Sequence, residues 1–88
     1  MTKYARAKGV LETTVEDELL LLSPSLEFFG LNDSAASIWS LFSEPTDLDS
    51  VTLGLVSEYD VDPEEARTAT QAVIDHLTKA GLLVVYTE

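Results

Sequence analysis

The spacing of apolar residues changes character along this 88-residue chain near Leu31. Ahead of that point they come in short runs between turn formers. Beyond it they recur at three- and four-residue intervals behind helix-capping residues. A strand turns alternate residues to one face and a helix turns every third or fourth, so one segment cannot serve both patterns. The chain is therefore expected to place a sheet first and helices after it, the segregated order of an α+β fold.

Three strands are expected. Residues 9–15 (GVLETTV) are rich in β-branched side chains, residues 18–22 (ELLLL) form an apolar run, and residues 26–31 (LEFFGL) make a third segment. Glu16-Asp17-Glu18 suits the first turn, and Ser23-Pro24-Ser25 breaks the second and third segments apart. The leucine run is compatible with helix by propensity, but it is too short and too tightly bracketed for one. Residues 1–8 are polar and weakly basic, and are expected to lead flexibly into a single domain covering residues 1–88.

Asn32-Asp33-Ser34 offers caps for a first helix whose Ala35, Ile38, Trp39 and Phe42 share one buried face. Thr46 or Asp47 caps a second helix running to about Glu58, with Leu48, Val51 and Leu55 inward. Asp62 caps a third, with Pro63 at its first position and Glu64 and Glu65 at the positive end of its dipole. Ala66, Thr70, Val73, Leu77 and Ala80 form its inner stripe, and Gly81 is a suitable stop. The apolar run LLVVY at residues 82–86 then makes a short strand or a packed tail. The full expectation is a winged helix-turn-helix: a three-stranded antiparallel sheet, three helices and a short C-terminal strand or tail.

Charge narrows the function. Sixteen acidic residues against five basic ones give a net charge of −11. Nucleic-acid binders concentrate Lys and Arg against phosphate, whereas the third helix offers Arg67 and Lys79 against Glu64, Glu65 and Asp75. The absence of cysteine excludes disulfides, thiolate metal sites and cysteine nucleophiles. No 18-residue apolar run is present, and residues 1–10 lack the apolar core of a signal peptide, so a cytoplasmic location is expected.

Catalytic constellations are missing. His76 stands without a second histidine, and Asp60, Asp62, Glu64 and Glu65 lack the spacing of a calcium loop. No catalytic residue, metal site or cofactor is expected. One motif competes: Leu48-Asp49-Ser50-Val51 is compatible with an acyl or peptidyl carrier protein bearing phosphopantetheine on Ser50. Asp and Ser are also ordinary first-turn residues, and the strands and capped helix ahead of them do not suit a carrier.

Three segments together resemble the PqqD family. Leu31-Asn32-Asp33-Ser34-Ala35-Ala36-Ser37-Ile38-Trp39 is similar to its helix opening, Tyr59-Asp60-Val61-Asp62-Pro63-Glu64-Glu65-Ala66 to a later helix entry, and Leu77 with Gly81-Leu82-Leu83 to its closing pattern. The resemblance spans about residues 26–84. The acidic opening Asp47-Leu48-Asp49 and the apolar end Val84-Val85-Tyr86 depart from the commonest pattern. The resemblance implies a non-catalytic element that binds the leader of a ribosomally synthesised, post-translationally modified peptide (RiPP), as in lasso peptide systems. In the family the leader is added as a strand to the third strand, beside the third helix. The partners implied are the precursor leader and a modifying enzyme such as a leader peptidase, a cyclase or a radical SAM enzyme.

On this chain the implied site is the third strand segment, Leu26, Glu27, Phe28, Phe29 and Gly30, and a third-helix flank of Arg67, Thr70, Gln71, Ile74, Asp75 and Thr78. Alternation puts Phe28 and Phe29 on opposite faces, so one of them is expected to line a surface cleft. Ile74, off the inner stripe, is either groove wall or peripheral core.

Overall fold

The computed structural model describes residues 2–87. Among these the order is β1 (Thr2–Arg6), β2 (Leu11–Val15), β3 (Glu18–Leu22), β4 (Phe28–Leu31), α1 (Asp33–Ser40), α2 (Leu48–Glu58), α3 (Pro63–Lys79) and β5 (Leu83–Thr87). The strands form two antiparallel sheets, β2-β3-β4 and β1-β5.

Helix starts follow the capping chemistry. Asn32 Oδ1 accepts from the Ala35 N–H at 2.8 Å, Asp47 Oδ1 from Ser50 N–H at 2.8 Å and Asp62 Oδ1 from Glu64 N–H at 2.8 Å. The Ser50 N–H holds the Asp47 carboxyl below its ordinary pKa, with the Ser50 side chain and the charge on Lys3 acting in the same direction. Gly81, at φ 79°, turns the chain out of α3 into β5.

The core is Ile38, Trp39 and Phe42 from the α1 segment, Val51 and Leu55 from α2, Ala66, Ile74 and Leu77 from α3, Leu21 and Leu31 from the sheet, and Leu82 and Leu83. Of the expected inward residues, Ala35, Leu48, Val73 and Ala80 are only partly buried, and Ile74 takes a core place instead. Two expectations need correction. The segment assigned to a flexible lead forms β1 over Thr2–Arg6, paired with β5 from Thr2↔Thr87 to Arg6↔Leu83; Met1 lies outside the described residues. Of the two alternatives for the C-terminal segment, the strand is the one present; it has a partner of its own, so the strands form two sheets where one was expected.

A two-stranded ribbon is marginal alone. Here it is pinned to the helices. The Tyr4 ring meets Phe42 edge-on at 6.4 Å, and Tyr4 exchanges backbone hydrogen bonds with Thr46. Arg6 stacks over Trp39 at 4.5 Å, donates to the Trp39 carbonyl at 2.9 Å and pairs with Glu12 at 3.0 Å. The Trp39 indole N–H donates to the same Glu12 carboxylate at 2.6 Å. One carboxylate thus joins β2 to both α1 and β1.

Candidate functional site

β4 stands at the end of its sheet, bonded to β3 on one side only. The Ser23 N–H donates to the Glu27 carbonyl at 2.9 Å, and the Glu27 N–H donates to Ser23 Oγ at 3.2 Å. Antiparallel pairing alternates, so Phe29 and Leu31 also turn their backbone groups to β3. Phe28 and Gly30 turn theirs outward, where no strand of the described residues pairs with them. Side chains alternate on the perpendicular axis: Leu31 is buried and Phe29 half-buried against the helices, while Phe28 is 68% exposed on the opposite face. Phe29 is therefore the aromatic that faces inward.

Beside this edge runs a trough with two hollows. One, of about 480 Å³, is lined by Ser25, Glu27, Phe29, His76, Lys79, Ala80 and Gly81. The other, of about 260 Å³, is lined by Gly30, Leu31, Asn32, Ala35, Ala72, Val73, His76 and Leu77. His76 belongs to both, and its ring meets Phe29 edge-on at 6.3 Å. The two rings divide the trough floor. Small side chains at Ala35, Ala72 and Ala80 keep its walls apart.

Strand-side expectations divide. Glu27, Phe29 and Gly30 line the trough. Leu26 lies in the turn before β4 at φ 69°, and Phe28 faces away. A Cβ on Gly30 would lie 2.5 Å from Glu18 Oε1, so this glycine leaves room for the Glu18 carboxylate on the outer face.

On α3 the expected flank is out of phase. None of Arg67, Thr70, Gln71, Ile74, Asp75 and Thr78 lines either hollow. Thr70 and Ile74 are fully buried. Arg67 pairs with Asp49 on α2, Gln71 donates to Asp75 at 2.9 Å, and the Thr78 hydroxyl donates to the Ile74 carbonyl at 2.7 Å. The side of α3 that faces β4 carries Ala72, Val73, His76, Lys79 and Ala80. Ile74, not Val73, occupies the core line with Ala66, Thr70 and Leu77, and the trough lies on the other side of that line from the expected flank, about two residues, ~200°, around the helix. His76, which the sequence offers only as a lone histidine, sits at the centre.

Ser50 is exposed in the first turn of α2 behind the Asp47 cap. Among the described residues no group of His, Asp or Glu side chains is placed to hold a metal ion, and no helix is long and apolar enough to cross a membrane.

The family model for coenzyme PQQ synthesis protein D matches residues 18–83, three quarters of the chain and all of the trough. The chain belongs to the PqqD family. Three solved structures share its fold. TbiB1, in complex with the TbiA(beta) leader peptide, superposes with TM-score 0.82 at 25% identity, over 96% of this chain and 99% of that one. Lasso peptide synthetase B1, complexed with its leader peptide, gives 0.77 at 24% identity over 92% and 96%. The PqqD truncation of PqqCD from Methylobacterium extorquens, a stand-alone RiPP recognition element, gives 0.77 at 21% over 93% and 88%. No curated protein matches the chain. The carrier-protein alternative finds no support in this family or fold: in the first turn of α2, Asp49 pairs with Arg67 and the Ser50 N–H serves the Asp47 cap.

Proposed function

We propose that this chain is a RiPP recognition element that binds the leader of a ribosomally synthesised precursor by adding it as a strand to the free edge of β4. The observation that carries this reading is the outward backbone of Phe28 and Gly30 beside an apolar trough on α3. An unpaired edge supplies backbone affinity without regard to sequence, and hollows beside it read alternate side chains. Inward side chains of the added strand, ~6.6 Å apart, would enter the hollows on either side of His76 and Phe29.

The chain does this without catalysis and hands the precursor to a leader peptidase, a cyclase or a radical SAM enzyme in the cytoplasm. Residues 1–88 act as one domain, and α2 and α3 with the β2-β3-β4 wing serve as a winged helix-turn-helix turned from DNA to peptide. The acidic surface supports that change of ligand: Glu64 and Glu65 open α3, and Arg67 is held by Asp49.

Two or three anchors at ~1.5–3 kcal/mol each, and backbone bonds at ~1 kcal/mol, are offset by several kcal/mol for ordering the leader. The net is about −8 to −10 kcal/mol, micromolar to tens of nanomolar. Titration of a fluorescent leader from the cognate precursor should saturate in that range. An alanine scan of the leader should lose affinity at alternate positions, and a flat profile would count against strand addition.

A further inference from the structure

We propose that the outer face of the β2-β3-β4 sheet docks an enzyme acting on the same precursor, through an enzyme surface with an apolar centre and Lys or Arg beside it. This rests on the leader-binding reading and adds a second surface to it. Cross-strand register places Leu11, Leu22 and Phe28 in one row and Thr13, Leu20 and Gly30 in the next. Leu21 and Leu31 are buried from the opposite face, so these rows look away from the helices. Leu11 is 62% exposed, Phe28 68% and Val15 50%. An apolar row crossing a whole exposed sheet face is uncommon on a monomer and marks interaction sites.

Charge selects the occupant. The hairpin at one end of the face is Glu16-Asp17-Glu18, and Glu18 reaches over Gly30 on this side. A second copy would bring the same acidic hairpin and another −11 of net charge, and nucleic acid or an anionic membrane would be repelled likewise. A protein with cations near its apolar centre is complementary. The row also ends at Phe28, on the strand that takes the leader, so a partner seated there lies beside the peptide.

The test uses the purified enzyme encoded with the precursor and the full chain, wild type and Leu11→Arg/Val15→Arg. Both positions are exposed on β2, across the sheet from the β4 edge. Enzyme binding is expected to weaken at least tenfold while leader affinity stays within twofold. Should that variant fail to fold by circular dichroism, Leu11→Gln/Val15→Thr replaces it with the same expectation. Undiminished enzyme binding by the folded variant, no enzyme binding by the wild type, or a wild-type dimer that the substitutions dissolve would each overturn the proposal. If the leader fails to bind while the enzyme binds and the variant loses it, leader recognition falls and the docking face stands.

Discussion

Ala72 and Ile74 lie two residues apart on α3 and meet opposite environments, one in the trough wall and one in the core. Ile74→Ala is expected to cost ~2–5 kcal/mol, a large part of a small domain's stability, and to shift the urea midpoint accordingly. Ala72→Arg should leave that midpoint in place, because Ala72 is exposed, yet weaken leader binding at least tenfold, ~1.4 kcal/mol. Periodicity could not separate these roles. Val73 and Ile74 are adjacent and both β-branched, so either fits a line through Ala66 and Leu77. The larger side chain takes the core, and the smaller borders the trough. That choice depends on the volume between α2 and α3, which no one-dimensional pattern carries. His76 falls outside the expected site because that site lies on the Arg67, Gln71 and Asp75 side of the core line, whereas the trough opens on the other side.

At the scale of elements, the β2–β3 hairpin closes through Glu16 at φ 51° and Asp17 at φ 68°, a two-residue turn with both centres left-handed. Glu16 is poorly suited to that conformation, and Asp17 tolerates it less well than glycine would. Glu16→Asn/Asp17→Gly should raise stability by about 1 kcal/mol at an unchanged denaturant slope. Local chemistry made most elements legible: the three caps, the Pro63 start and the turn at residues 16–18 act on neighbours in sequence. β1 was not legible, because Thr2–Arg6 lacks apolar alternation and its partner β5 lies at the other end of the chain. Asp47 connects these scales. Its carboxyl pKa is lowered on folding by the Ser50 N–H, so its contribution is present above the ordinary carboxylate range and is lost as pH falls through the lowered value. Asp47→Ala should flatten that acid limb of the melting temperature.

The whole molecule carries −11 of net charge on 88 residues. Self-repulsion destabilises a compact chain of that charge, and salt screens it, with a Debye length of ~30 Å at 0.01 M and ~10 Å at 0.1 M. The melting temperature is therefore expected to rise as sodium chloride is added, and a fall would mean that ion pairs such as Arg6–Glu12 outweigh the repulsion. On the proposed function the β4 edge is the feature that carries binding. Amide hydrogen exchange tests that edge most directly. In the free protein the Phe28 and Gly30 amides should exchange fast, while those of Phe29 and Leu31, turned to β3, are protected. Saturating leader should protect Phe28 and Gly30 selectively. A leader that binds without slowing either amide would contradict strand addition at β4.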